Sequence, residues 1–236
     1  MNPHSIERLV PDALAPGDVT GHETLQLHLA RYELAGRHAR PGRVLDMACG
    51  VGYGTRLVAD RAAGIVDAVG VDLSEDAIGY ATAHYARPGV RYVQSDALAF
   101  HDAEGFDTVI SLETVEHVAD PERLIARLVS LVRPGGVLVA SVPTTPSTDV
   151  NPHHLSDFTE RSFRAMVPWR EVECLRQIQP YKLFAVLGRT EARMADMRPN
   201  LVGYYARHPR AALRRLGATV RYGFTNRYLT MVWARP

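Results

Sequence analysis

The chain has 236 residues, of which 46% are hydrophobic and 22% charged, a composition typical of a globular protein with a sizeable core. It contains no apolar run of the roughly 18 residues that a membrane-spanning helix needs, and its first residues do not resemble a signal peptide. The two cysteines, Cys49 and Cys174, indicate neither a disulfide framework nor a zinc ribbon. We therefore expect a reduced, cytoplasmic protein without a membrane partner.

The net charge of +1 conceals an uneven distribution. Residues 1–160 contain 12 Lys/Arg and 22 Asp/Glu, whereas residues 161–236 contain 15 and 4. A basic C-terminal part could attract nucleic acid or another polyanion. The excess of acidic residues in the first part nearly equals the excess of basic residues in the second. We therefore expect the two parts to pack together within one chain, or to form an interface between copies of the chain in a homo-oligomer. A nucleic-acid partner is not expected.

Short apolar runs rich in Val and Ile alternate with helix-length segments along the chain. Nearly continuous hydrophobicity is typical of strands that are covered on both faces. The five predicted strands lie at 43–46, 68–72, 90–93, 106–110 and 136–142. The alternation predicts a doubly wound parallel sheet of the Rossmann-like α/β class.

The segments around these strands complete the predicted layout. Helices are predicted at 22–39, 121–132 and 159–167, followed by two late strands at 171–179 and 226–233. The long stretch 181–222 predicts a helical insertion or lid. We therefore expect a single domain over 1–236: cap helices in 1–40, a ligand-binding core in 41–180, the lid in 181–222 and the last strand in 223–236.

A glycine-rich loop follows the first strand and opens a helix. Small residues there allow a ligand to approach the backbone at the strand ends. The third glycine, Gly54, comes two residues after Gly52, so the spacing is not the dinucleotide fingerprint of a nicotinamide oxidoreductase. No Gly-Lys-Ser/Thr ending follows, which excludes the phosphate loop of nucleotide hydrolases.

Acidic residues stand at the ends of three successive predicted strands. Asp46 ends the first strand and Asp72 the second, while Asp96 follows the third. A carboxylate in the position of Asp72 can accept both hydroxyls of a ribose. Asp96 can accept a hydrogen bond from the amino group of adenine. The three acidic residues together therefore predict a site for an adenosine-containing ligand.

The segments 45–52, 70–72, 95–97 and 133–136 resemble the motifs of class I S-adenosylmethionine-dependent methyltransferases, and the resemblance covers about residues 20–160. Ala48 stands where glycine is commoner in that family. The resemblance implies a seven-stranded sheet whose last two strands form an antiparallel hairpin. It also implies that S-adenosylmethionine contacts Asp46, Ala48, Gly50, Gly52, Asp72, Leu73, Asp96, Ala97, Leu112, Arg31 and Tyr32.

Two carboxylates and an imidazole follow the fourth strand. On one helical turn, Glu113, Glu116 and His117 would share a face. His154, or as second choice His153, would approach from the loop after the fifth strand. Glu113, Glu116, His117 and His154 are thus candidate ligands for Mg²⁺ or Mn²⁺. Without a metal, Glu116 would cap a helix and His117 would line the pocket.

The Glu-x-x-Glu-His pattern with the later histidine resembles small-RNA 3′-terminal 2′-O-methyltransferases. The stretch 113–118 also resembles catechol O-methyltransferases of quinone synthesis, and the segments 7–11 and 28–32 resemble bacterial methyltransferases of glycan and natural-product pathways. These groups share an acceptor hydroxyl that often has a hydroxyl neighbour.

We therefore predict an O-methyltransferase acting on a carbohydrate or sugar-like small molecule, with a divalent cation. His154, Glu113 and His117 are the predicted catalytic residues, His154 serving as ligand or general base. The alternatives are a phenolic or natural-product acceptor, an RNA 3′ end and an amine. From other classes, a cofactor-binding scaffold and a nicotinamide oxidoreductase are less favoured.

Overall fold

The computed structural model describes residues 9–180 and 196–236. Within these residues the strands are β1 (Gly42–Met47), β2 (Ile65–Asp72), β3 (Val90–Gln94), β4 (Phe106–Leu112), β5 (Val132–Pro143), β6 (Arg170–Pro180) and β7 (Thr225–Ala234). The helices are α1 (Val19–His38), α2 (Tyr53–Arg61), α3 (Glu75–Tyr85), α4 (Pro121–Leu131), α5 (Glu160–Arg164), α6 (Leu201–Arg207) and α7 (Pro209–Tyr222). Short 3₁₀ turns lie at Pro11–Ala13 and Val115–His117.

The seven strands form one sheet in the order β3-β2-β1-β4-β5-β7-β6. Strands β1 to β5 pair in parallel, and β7 runs antiparallel to both β5 and β6. The predicted Rossmann-like doubly wound sheet with a closing antiparallel hairpin is therefore confirmed. The order reverses direction beside β1, and open α/β sheets bind ligands at the carboxyl ends of strands at such a point.

Each face of the sheet buries its own hydrophobic cluster. On one face, Tyr32 and Leu34 of α1 and Val58 of α2 pack over the central strands. On the other face, α4 packs its apolar stripe, and Phe163 of α5 meets the fully buried Trp233 of β7. Coverage on both faces explains why the strands read as continuous apolar runs.

Polar side chains define where several helices begin. The side chain of Asp120 accepts a hydrogen bond from the backbone N–H of Arg123 at the start of α4, and Ser74 accepts one from Ala77 at the start of α3. These bonds satisfy amide groups that have no partner inside the helix. The predicted helix 121–132 is therefore observed almost as expected.

Some boundaries differ from the predicted ones. Strand β5 begins at Val132 rather than at 136, because Val132 pairs with Phe106 across a register shift. Helix α5 has only five residues, with Thr159 as its capping residue, instead of extending over 159–167. Irregular pairing and short capped turns leave little periodicity in the sequence.

Two helices, α6 and α7, occupy the described part of the predicted insertion, whose residues 181–195 lie outside the described residues. Arg215 of α7 pairs with Asp149, and Arg214 pairs with Asp157. Basic residues of the C-terminal part thus pack on acidic residues of the N-terminal part, as the charge distribution predicts. Among the described residues, no helix combines the length and the apolarity required to cross a membrane.

Candidate active site

The loop between β1 and α2 passes close to its neighbours. Gly52 has a left-handed φ of +88°, and a Cβ there would lie 2.6 Å from the ring of Tyr92. Around Gly50, which has a φ of +56°, no atom of the described residues comes within 4 Å of an added Cβ. The loop is therefore tightly packed behind Gly52 and open at Gly50, where a ligand can approach the backbone.

Asp72, at the end of β2, lies beside this open side. Its two carboxylate oxygens accept hydrogen bonds of 2.9 Å from the backbone N–H groups of Gly50 and Ser74. A carboxylate has further lone pairs, so ribose hydroxyls can still bind. Next to it, Leu73 is 68% exposed and presents an apolar side chain to solvent, as a surface for an adenine ring would. Asp96 is exposed after β3.

Asp46 at the end of β1 is fully buried. Its Oδ2 accepts hydrogen bonds from Thr55 Oγ1 at 2.6 Å and from Tyr32 Oη at 3.2 Å. Burial nonetheless raises the pKa of Asp46 from 3.8 to about 7, with a smaller contribution from the charge of Asp72. A cationic ligand beside Asp46 would stabilise its charged form, and S-adenosylmethionine carries both a sulfonium and an ammonium group.

Arg31 of α1 is 1% exposed, although arginine is rarely buried without partners. Its Nε donates to Gln177 Oε1 at 2.7 Å, its guanidinium lies 4.7 Å from the ring centre of Tyr228, and its Nη1 lies 3.6 Å from Glu113 Oε1. Gln177 and Tyr228 come from β6 and β7, and no sequence motif indicated them. The antiparallel hairpin of β6 and β7 thus holds the guanidinium group of Arg31.

Glu113 does not join the other predicted metal ligands. The metal-type cluster consists of Glu116, His117 and His154. Glu113 follows β4 with a left-handed φ of +51°, and Ser141 Oγ donates to its Oε1 at 2.6 Å. The 3₁₀ turn Val115–His117 begins only after it. The expected shared helical face therefore does not form, because Glu113 lies between the end of β4 and the start of the turn.

Three of the four predicted metal ligands do come together. The ligand atoms of Glu116, His117 and His154 lie within 4.8 Å of one another. Glu116 is fully buried, and the two imidazole rings meet edge to face with centroids 4.6 Å apart. Leu155 N–H donates to the backbone oxygen of Glu116 at 2.7 Å, which ties the loop after β5 to the turn after β4.

The Nδ1 atom of each of the two histidines has a hydrogen-bond partner. His117 Nδ1 donates to the backbone oxygen of His153 at 3.3 Å, and His154 Nδ1 lies 2.7 Å from Ser147 Oγ. A second hydrogen bond of this kind orients a metal-ligating histidine and fixes its tautomer. The Nε2 atom of His117 lies 4.0 Å from Glu116 Oε1. Ser147 was not identified from the sequence, in which it is one of several hydroxyl residues in the loop.

Electrostatics keep His154 neutral. Burial, followed by the positive charges that His117 and His153 carry when protonated, lowers the pKa of His154 to about 3. A neutral imidazole offers a lone pair to a metal ion at pH 7, but its low basicity makes it a weak general base. His153, the second choice of the sequence analysis, is exposed.

Comparison with known proteins agrees with this geometry. Residues 45–140 match the family model described as a methyltransferase domain. The seven-stranded sheet is the Rossmann-like fold of class I methyltransferases, and the open glycine loop and the acidic strand ends fit S-adenosylmethionine.

The chain is 37% identical over 121 residues to a ubiquinone biosynthesis O-methyltransferase of Methylococcus capsulatus, covering 50% of this chain and 48% of the relative. It is 32% identical over 139 residues to a probable S-adenosylmethionine-dependent methyltransferase of Mycolicibacterium smegmatis, covering 56% and 50%. The chain thus spans about half the length of the curated relatives it matches.

Solved structures share the fold over nearly the whole chain. The N-methyltransferase NodS of Bradyrhizobium japonicum, in complex with S-adenosyl-L-homocysteine, has a TM-score of 0.61 at 16% identity and covers 94% of this chain and 90% of its own. A putative methyltransferase of Bacillus halodurans has a TM-score of 0.61 at 17% identity, covering 89% and 98%. At such identities the likeness concerns the fold.

Proposed function

We propose that the protein is an S-adenosylmethionine-dependent O-methyltransferase whose acceptor carries two neighbouring hydroxyls, assisted by a divalent cation. The observation that carries the proposal is the convergence of the ligand atoms of Glu116, His117 and His154 within 4.8 Å of one another, in segments that follow β4 and β5. Two imidazoles and one carboxylate leave coordination positions open for substrate oxygens. An amine acceptor needs no such ligand set, since a neutral amine is already nucleophilic.

The acceptor class is inferred from the relatives. Several of the curated proteins that match this chain are ubiquinone biosynthesis O-methyltransferases, which favours a hydroxylated aromatic ring as acceptor. The sequence analysis favoured a sugar hydroxyl instead. No feature of the described residues singles out a carbohydrate, so the aromatic acceptor takes first place and sugars become a comparison in the assay.

Each group in the site has a chemical task in this proposal. Asp72 binds the ribose of the methyl donor, and Asp46 lies where it can balance the donor's positive charge. Glu116, His117 and His154 hold the cation, which when bound lowers the pKa of a hydroxyl that it contacts. A buried environment such as that of Glu116 favours a reaction in which opposite charges on nucleophile and sulfonium cancel.

Two variants separate binding of the donor from the reaction. Asp72→Ala should weaken S-adenosylmethionine binding by about 1.5–3 kcal/mol, the scale of hydrogen bonds to a charged group. His154→Ala should leave that affinity unchanged, abolish Mn²⁺ binding and lower turnover about 100-fold or more. Calorimetry measures both affinities, and methyl transfer is assayed on catechols, sugars and RNA 3′ ends.

The matched control is His101→Ala, because His101 is an exposed histidine between β3 and β4. It should retain donor affinity, Mn²⁺ affinity and turnover. Full activity of the wild-type protein after removal of metal by a chelator would refute the role of the cation. Methyl transfer to sugars but not to catechols would reverse the choice of acceptor.

A further inference from the structure

The loop that contains His154 also contains a buried carboxylate, five residues before His154 in the sequence. Residues 144–159 connect β5 to α5, and Asp149 within them is 1% exposed. Arg215 of α7 donates hydrogen bonds to both carboxylate oxygens of Asp149, from Nε to Oδ2 at 2.8 Å and from Nη2 to Oδ1 at 2.6 Å. Tyr205 of α6 donates to Oδ2 at 2.7 Å. The two helices of the insertion thus hold the loop through one side chain.

The hydrogen bonds from Arg215 and Tyr205 stabilise the charged form of Asp149. Burial by itself would raise the pKa of Asp149, but the hydrogen bonds and the charge of Arg215 outweigh burial and lower the pKa. Planar two-point pairing of this kind fixes geometry as well as charge. Removal of one partner leaves an uncompensated buried charge, so the arrangement tolerates little displacement of the loop.

The backbone on either side of Asp149 is held as well. Arg198 donates to the backbone oxygens of Asp149 at 3.1 Å and Thr148 at 3.2 Å. Asp157 accepts hydrogen bonds from the N–H groups of Ser147 at 2.8 Å and Thr148 at 3.1 Å. The anchored stretch therefore begins with Ser147, whose hydroxyl contacts His154 Nδ1 at 2.7 Å.

A short chain of contacts thus leads from the insertion to the metal-type cluster. We propose that Asp149 is a positioning residue for His154: through Arg215 and Tyr205 it fixes Ser147, and Ser147 fixes the orientation of the imidazole toward Glu116. The proposal rests on the proposed function, in which His154 is a ligand. It assigns to the insertion helices a role in ordering the catalytic loop, and Asp149 itself touches neither donor nor acceptor.

The test uses Asp149→Asn, which keeps the shape of the side chain and removes its charge. In full-length protein labelled with ¹⁵N-histidine, the wild-type His154 should show one tautomer with a hydrogen-bonded Nδ1. In the variant the two ring nitrogens of His154 should shift toward averaged values. Mn²⁺ affinity should fall about tenfold or more, as for other groups that orient a metal ligand. Affinity for S-adenosylmethionine should not change.

The matched control is Asp102→Asn at the opposite edge of the sheet. Asp102 also forms a two-point pair with an arginine, since Arg43 Nη1 and Nη2 donate to its oxygens at 2.9 and 2.8 Å. A merely structural role would make both variants alike: both would lower the melting temperature and neither would alter His154. If Asp149→Asn does not fold, Tyr205→Phe removes a single hydrogen bond and should cause a smaller change of the same kind.

The outcomes are separable from those of the proposed function. If the wild-type protein binds no Mn²⁺, the metal is refuted, while the nitrogen spectrum still reports whether Asp149 positions His154. Unchanged His154 resonances in folded Asp149→Asn, or an equal change in Asp102→Asn, would overturn the positioning role. Changed resonances in Asp149→Asn and Tyr205→Phe alone would support it.

Discussion

The ionisation of Asp46 leads to a prediction about stability and pH. The pKa of Asp46 is raised from 3.8 to about 7, chiefly by burial, so folding favours the protonated acid. A shift of about three pKa units corresponds to about 4 kcal/mol of stability. Because the folded-state pKa is the higher one, this contribution is present below pH 4 and is lost as the pH rises toward 7.

Asp46→Asn removes the ionisation and keeps an oxygen that can accept a hydrogen bond from Thr55. We expect the free energy of unfolding of this variant, relative to wild type, to increase between pH 4 and 7 by about 4 kcal/mol and then to level off. Urea denaturation of both proteins without ligand at pH 4, 5, 6, 7 and 8 measures this difference.

Asp102→Asn provides the comparison with the opposite sign. Hydrogen bonds from Arg43 lower the pKa of Asp102 to about 2, so its stabilising contribution is complete above its ordinary pKa and is lost as the pH falls through 2. The difference in free energy of unfolding between Asp102→Asn and wild type should therefore be constant between pH 5 and 8. A difference for Asp46→Asn that is also constant over that range would refute the reasoning, because it would mean that Asp46 is ionised in both folded and unfolded protein.

Two further predictions concern packing and the metal. Gly54→Ala should destabilise the protein by about 1–3 kcal/mol, since its Cβ would lie 1.9 Å from the ring of Tyr32; Gly36→Ala in α1, where no described atom lies within 4 Å, should be neutral or stabilising in the same thermal unfolding assay. Glu113→Gln should leave Mn²⁺ affinity unchanged in calorimetry, because its carboxylate lies outside the histidine cluster, and a loss as large as that of a ligand variant would return Glu113 to the metal site.

The glycine loop and the acidic strand ends of the proposed methyl-donor site lie where the sequence predicts them, because their signals are local. Parallel strands of one sheet end at the same edge, so Asp46 and Asp72 must come near each other once the strand alternation is recognised. Backbone strain and close packing require the glycine at position 52 whatever surrounds it. Motif spacing within one strand-loop-helix unit therefore carried the prediction.

The metal-type cluster could be predicted only in part. Glu116 and His117 are adjacent in the chain, and His154 follows from the loop after β5, but the membership of Glu113 depended on the type of turn. A helical turn beginning at Glu113 would have brought it to the same face. The left-handed residue and the later 3₁₀ turn directed it to Ser141 instead, and such a backbone choice leaves little trace in residue types.

The sequence by itself determined the sheet, the glycine loop and the acidic strand ends, because each depends on periodicity or on residues within one short segment. Only the tertiary structure decided that Arg31 is buried against Gln177, 146 residues away, and that Asp149 is gripped by Arg215, 66 residues away. Partners so distant in sequence meet because the antiparallel hairpin and the insertion helices fold back over the sheet. Charge and composition can indicate that such pairs exist, but which arginine meets which carboxylate is decided by the packing of whole elements.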